Sequence, residues 1–297
     1  MGALRRLFTS LQNNAIPTPK AIFRVNTTPV LVVLLLAFFP SYARQALAQG
    51  LSVSFEPARD EHYREELGVN QFTVPSIRGL FEDLQSLEPI PYAMLQQPEP
   101  EAASADRVSL ALKFGRSLAD GFIAVQAQDS DRVQSLSRLL IRYCNSMGIG
   151  HRIKPYSKSL LEKAYRKDWP GLKTDLAATQ QDVEREMMRL RDEQIAHLIS
   201  LGGWLRALEV GCQSVSASFT PERAAQLVRP ELLDYFQERL STLHPRVKQN
   251  PIAISLSTNL QQIRLLADWD SGEHLTPEKV AQILQITSAL NLAIAQR

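Results

Sequence analysis

The apolar residues of this 297-residue chain recur at the three- and four-residue spacing of helices, and strand-like alternation is almost absent. After residue 48 the chain is rich in Leu, Ala, Gln, Glu and Arg, which are good helix formers, and the whole chain has only 13 glycines. The sequence therefore predicts an all-α fold: a multi-helix bundle that follows a cleavable N-terminal signal peptide.

The first 48 residues have the composition of a secretory signal peptide, with basic residues and no Asp or Glu. The apolar run VLVVLLLAFF lies between Pro29 and Pro40, and it is shorter than the roughly 20 residues that a membrane-spanning helix needs. Ala46-Leu47-Ala48 then supplies the small-x-small pattern of a cleavage site. We expect cleavage after Ala48, a periplasmic or secreted location, and no integral membrane anchor.

Two export routes are compatible with this leader. Arg5 and Arg6 resemble a twin-arginine signal, which would export the protein already folded. The pair precedes the apolar run by more than twenty residues, which is an awkward distance for that signal. General secretion is the favoured route.

Charge argues against a nucleic-acid partner. The chain has 33 basic and 31 acidic residues, but five of the basic ones lie in the leader, so 28 basic residues would remain against 31 acidic ones. Nucleic-acid-binding domains are usually strongly basic. We therefore expect no binding to nucleic acid.

The chain after the leader divides into two predicted parts. Residues 49–105 are expected to form an acidic N-terminal helical arm and a Pro-rich connector, Glu88 to Ser104, and residues 106–297 an α-helical bundle domain. Helices are expected at 57–67, 75–87, 106–128, 131–147, 156–167, 170–216, 221–228, 231–242, 251–269 and 277–295. The longest of these should bend or break at Gly202-Gly203. The segments 106–128 and 193–212 are the most apolar and should be central.

These two central helices carry charged residues that would be buried. Asp120 lies among small and apolar neighbours, and such a carboxylate needs a partner, either Arg116 one turn earlier or Arg206 on the other helix. Glu209 would hold the same guanidinium. Glycines would allow a close crossing of the two helices, and they are Gly115, Gly121, Gly202 and Gly203. We favour a structural role for Asp120, Arg206 and Glu209 over a functional one.

Glu193 and His197 are the candidate metal ligands. They lie four residues apart and share a helix face, whereas di-metal bundles use Glu-x-x-His at three-residue spacing on two helices. No H-E-x-x-H, C-x-x-C or nucleophile motif occurs, so the sequence specifies no cofactor. A hydrogen-bonded core histidine is the favoured interpretation of His197.

Charge is uneven along the chain. Residues 56–106 carry a net charge of −8 and residues 138–173 a net charge of +7, the latter interleaved with Tyr143, Tyr156, Tyr165 and Trp169. One hypothesis is a face for an anionic partner, such as an envelope protein, a wall polymer or a lipid surface. The other is that the acidic segment folds onto it. The basic residues are Arg138, Arg142, Arg152, Lys154, Lys158, Lys163, Arg166 and Lys167.

The two cysteines, Cys144 and Cys212, leave two alternatives open: a disulfide in an oxidising compartment, or two buried thiols. For function, the sequence favours an exported soluble helical protein of the cell envelope that acts by binding, as a structural or protein-interaction module. The alternative is a metal- or cofactor-binding bundle, with or without enzymatic activity, that uses Glu193 and His197.

Overall fold

A computed structural model of the chain describes residues 76–98, 106–267 and 275–297. All of these belong to one unit, Pro57–Arg297. The predicted signal peptide, the predicted helix at 57–67 and most of the acidic segment lie outside the described residues.

The described part of the chain is helical and contains no strand, as the sequence predicted. Its eleven α-helices are α1 Ile77–Leu84, α2 Arg107–Gln126, α3 Ser130–Ser146, α4 Gly150–Arg166, α5 Trp169–Arg189, α6 Glu193–Ala217, α7 Pro221–Ala224, α8 Pro230–Thr242, α9 Pro245–Lys248, α10 Pro251–Leu266 and α11 Pro277–Gln296. Two 3₁₀ helices, Gln85–Leu87 and Tyr92–Leu95, follow α1. No helix in these ranges has the length and apolar character needed to span a bilayer.

Helix starts follow local capping chemistry. The side chain of Asp106 accepts hydrogen bonds from the backbone N–H groups of Val108 and Ser109 at the start of α2. Side-chain oxygens of Asp168, Thr220 and Thr276 cap α5, α7 and α11, each with a proline in the first two helical positions. Proline has no N–H to satisfy there, so these starts could be predicted from the sequence.

The break in the long predicted helix is not at the glycine pair. α5 ends at Arg189 and α6 begins at Glu193, with Arg191 in the left-handed region at φ 58°. α6 then continues without interruption through Gly202 and Gly203. The prediction was wrong because these glycines serve helix packing, where the absence of a side chain matters more than backbone freedom.

α2 and α6 form the centre of the fold and make its most extensive helix–helix contact among the described elements. A Cβ atom on Gly115 would lie 1.7 Å from the carbonyl oxygen of Ile199, and one on Gly202 would lie 2.3 Å from that of Leu112. The two backbones are thus in direct contact. Gly121 does not take part in this crossing, since it faces the Leu176 side chain of α5.

The segment after α1 is not an exposed connector in its first half. Ile90, Tyr92 and Leu95 are buried against the core, and the chain there passes over α2 and α6. The prediction underestimated the apolar area of these side chains, whose burial offsets the cost of ordering a Pro-rich segment. α1 and residues 88–98 therefore pack with the bundle, and the predicted boundary at residue 105 does not separate them from it.

Candidate functional site

A buried charged cluster lies where α2 and α6 meet. Arg206 Nε donates to Asp120 Oδ1 at 2.8 Å, and Arg206 Nη1 donates to Glu209 Oε2 at 2.8 Å. The third nitrogen, Nη2, donates to the carbonyl of Leu95. The side chains of Arg206, Asp120 and Glu209 are 0%, 3% and 2% exposed. The guanidinium therefore joins three chain segments in the interior.

A second layer of polar groups surrounds Glu209. Ser288 Oγ and Gln97 Nε2 donate to its Oε1 at 2.9 Å and 3.2 Å, and Asn291 Nδ2 donates to its Oε2 at 3.0 Å. Ser288 and Asn291 belong to α11, whereas Gln97 belongs to the segment after α1. Arg116, also buried, donates to Gln97 Oε1. The cluster thus fixes α11 and the 88–98 segment to the central helix pair.

The chemistry of this cluster is that of a structural ion pair. Burial by itself would lower the pKa of Arg206, but the carboxylates of Asp120 and Glu209 outweigh that effect and hold it above its usual value. Arg116 Nη1 lies 3.7 Å from Asp120 Oδ2, so two guanidinium groups meet two carboxylates. The charges balance, and the three joined side chains have almost no contact with solvent. This burial favours a structural role for the cluster.

A second polar cluster lies between α5, α6 and α8. The Tyr235 hydroxyl and His197 Nδ1 share a hydrogen bond of 2.7 Å, and the Arg239 guanidinium lies 5.5 Å from the centre of the Tyr235 ring. Burial, with a smaller effect of Arg239, lowers the pKa of His197 to about 4. Burial also raises the pKa of Glu184 to about 8, although Gln180 Nε2 donates to its Oε1 at 2.7 Å. At neutral pH these groups are an uncharged imidazole and a largely protonated carboxyl.

This second cluster does not form a metal centre with Glu193. Glu193 is exposed in the first turn of α6, and the Nδ1 atom of His197 is engaged by Tyr235. Among the described residues, no group of three His, Cys, Asp or Glu side chains lies close enough to hold a metal ion. What the geometry does show is a partly buried, hydrogen-bonded histidine.

The basic segment spreads over α3 and α4. Its exposed members with described side chains are Arg138, Arg142, Lys158, Arg166 and Lys167. Acids on α5 neutralise part of it, since Lys163 Nζ lies 2.8 Å from Asp175 Oδ1. Of its tyrosines, Tyr143 is fully buried and Tyr165 is 83% exposed. The side chains of Arg152 and Lys154 lie outside the described part. Binding of an anionic partner by this segment stays a prediction.

The cysteines are buried free thiols in the structure, which answers the alternative left open by the sequence. Cys144 lies on α3 and Cys212 on α6. Burial raises the pKa of both thiols, so neither is a reactive thiolate.

The outer side of α10 and α11 forms an open surface with exposed apolar side chains. A groove of about 570 Å³ runs between the two helices. We call its lining the uncharged face, and it consists of Asn259, Gln262, Leu265, Leu266, Gln282, Gln285, Ile286 and Ala289. Leu265 is 77% exposed. Leu292, 58% exposed, is three residues after Ala289 and so lies on the same side of α11.

The sequence contains a signal for this face that its helical periodicity does not reveal. No charged residue occurs at 251–263 or at 280–296. The charged residue of α10, Arg264, pairs with Asp234 on α8 at 3.2 Å. Surface helices normally carry charges on their solvent side. Apart from Arg264 and the first turn of α11, which holds Glu278 and Lys279, the two helices carry no charge.

Comparison of this chain with protein-family models, with curated proteins and with solved structures finds no match.

Proposed function

We propose that this protein acts by binding another protein, as a non-catalytic interaction module of the cell envelope, through the uncharged face of α10 and α11. The observation that carries the proposal is the combination of a 570 Å³ groove with exposed apolar side chains and no charge. Its apolar side chains alternate with neutral amides, and exposed apolar groups gathered on one side of a domain are a feature of protein-binding sites. Depletion of charge at the centre is also characteristic of such interfaces.

The other polar clusters support binding over catalysis by their own geometry. The cluster around Arg206 is sealed from solvent, and its charges are used to hold four chain segments together. His197 is committed to Tyr235. The rigid interior would present α10 and α11 as a fixed platform, which lowers the entropic cost of binding.

Site-specific photo-crosslinking tests the proposed surface. A photoreactive amino acid at Gln285, on the uncharged face, should give a covalent protein adduct in the cells that produce the chain. The matched control is the same amino acid at Gln181, an exposed glutamine on α5. Adducts identified by mass spectrometry should come from position 285 and not from 181. Equal yields at both positions, or no adduct at 285, would refute the proposal.

Export is a separate part of the proposal and has its own test. The leader features at residues 1–48 support processing by a signal peptidase in the envelope. N-terminal sequencing of the protein from the periplasmic or extracellular fraction should then begin at Gln49. An intact Met1 start in cytoplasmic protein would contradict export.

A further inference from the structure

We infer that the partner of the uncharged face is a second copy of this chain, and that two α10–α11 hairpins pack across a two-fold axis as a four-helix bundle. This inference rests on the proposed function, because it names the occupant of the same surface.

The neutral amide side chains of the groove are compatible with a second copy as the partner. Gln262, Gln282 and Gln285 line the groove beside apolar side chains. An amide side chain carries both a donor and an acceptor, so it can pair with an identical group on another copy. A surface that meets itself across a two-fold axis must be self-complementary in this way. Neutral amides satisfy that condition, whereas like charges at the same place would repel.

An acidic occupant from the same chain fits the uncharged face poorly. Residues 76–98 of the acidic segment pack with the bundle, so the part of it before α1 that is left as an alternative occupant is residues 56–75, with a net charge of −3. The uncharged face offers no cation to pair with those carboxylates, and burying unpaired charge is costly. An occupant as neutral as the face itself fits better, and a second α10–α11 hairpin has that property.

The arrangement of α10 and α11 also suits a second copy. α10 and α11 are connected helices that pack against each other, with their inner residues buried against α8 and α6. Their outer sides therefore form one two-helix layer. Two such layers placed face to face make a four-helix bundle, and two-fold dimers are the commonest oligomers. Leu265 and Ile286, on opposite walls of the groove, would then interdigitate with the same residues of the second copy.

The size of the uncharged face limits how tightly two copies can bind each other. Ile254, 54% exposed, and Leu265 lie on the same side of α10 because eleven residues make about three turns. The layer is then about 17 Å long and about 20 Å wide, which gives an area of about 340 Å². This area is well below the roughly 800 Å² per partner of a standard interface. We expect a reversible dimer with a dissociation constant in the micromolar range.

Sedimentation equilibrium of the purified chain tests the inference, at concentrations from about 1 µM to about 300 µM so as to bracket this range. The average mass should rise from that of one chain toward twice that value. Leu265→Glu would place like charges in the interface and should weaken the dimer at least about 30-fold. Gln285→Lys, also at an exposed position, should weaken it in the same direction. Tyr165→Glu on α4 is the matched control, since Tyr165 is 83% exposed, and it should dimerise like the unmodified chain.

Circular dichroism of each variant verifies that the helical content is unchanged. A single-chain mass at every concentration, or dimerisation unaffected by both Leu265→Glu and Gln285→Lys, would overturn the inference. In that case a crosslinked adduct at Gln285 with a different protein would still uphold the proposed function, and the absence of any adduct would remove both.

Discussion

Arg206 on α6 and Asp120 on α2 are 86 residues apart in sequence and form a fully buried ion pair, with 2.8 Å between Nε and Oδ1. The pair lies beside the point at which the two helix backbones touch. The pair bridges the two central helices, and through Glu209, which accepts from Ser288 and Asn291, the same cluster is linked to α11.

Removal of this guanidinium should be strongly destabilising. Arg206→Ala would leave Asp120 and Glu209 buried beside each other without their shared cation, and we expect a loss of about 3–5 kcal/mol in the free energy of unfolding. Urea denaturation measures it. Arg264→Ala is the control, because its ion pair with Asp234 is partly exposed and should contribute below ~1 kcal/mol. Similar small losses for both variants would show that the buried pair is not important for stability.

The glycine crossing should be intolerant of a single methyl group. Gly115→Ala would place its Cβ against the Ile199 carbonyl, which is backbone and cannot rotate away, so we expect a loss of about 3 kcal/mol or more. Gly79→Ala on α1 is the matched helical control. Its Cβ would find its nearest neighbour at 3.9 Å, and the substitution should be neutral or stabilising by about 0.5–1 kcal/mol. Thermal and urea unfolding of the two variants compare them directly.

Glu184 should make stability depend on pH. Its pKa is about 8 in the folded protein and 4.5 in an ordinary carboxyl, so the unfolded chain loses its proton at lower pH than the folded chain does. Its stabilising contribution is thus present below pH 4.5 and is lost as pH rises through 8. Between pH 5 and pH 8 the free energy of unfolding of the unmodified protein should fall by about 1–3 kcal/mol relative to that of Glu184→Gln. Urea denaturation at a series of pH values measures both.

The Glu184→Gln comparison also removes the influence of His197. The pKa of His197 is lowered to about 4, so its contribution to the stability of the folded protein is lost as pH falls below 6.5 toward 4. The unmodified chain and Glu184→Gln both contain His197, so this effect is common to the two. Glu162→Gln on α4 introduces the same amide where the side chain is 54% exposed, and it is the matched control for the substitution itself. Parallel profiles for Glu184→Gln and the unmodified chain would disprove a shifted pKa at Glu184.

The thiols of Cys144 and Cys212 should be unreactive while the protein is folded. Both side chains are 0% exposed, and burial raises the pKa of each. A thiol-specific reagent should label neither residue without denaturant and both in it, with no prior reduction. Tyr165→Cys should be labelled at once under native conditions, which shows that the reagent works. A requirement for reductant before labelling would reveal a disulfide.

Local patterns in the chain were sufficient for part of this architecture. The spacing of apolar residues indicated an all-α fold, and the Thr220-Pro221 and Thr276-Pro277 pairs marked two helix starts because capping depends on adjacent residues. The same patterns misplaced the break between α5 and α6. Arg191 adopts the left-handed conformation that often ends a helix, and the backbone N–H groups of Arg191 and Asp192 donate to the carbonyls of Met188 and Met187 there. No glycine marks this helix end, so the pattern of apolar residues ran through it.

The amino-acid sequence by itself determined the all-α class and which two segments are apolar enough to be central, because both depend on intervals of a few residues. The tertiary structure alone decided that Arg206 meets Asp120, that Leu95 closes over them, and that His197 bonds to Tyr235. It also decided which side of α10 and α11 faces water. These contacts join residues far apart in the chain, and their energies depend on burial and distance, which no local spacing specifies.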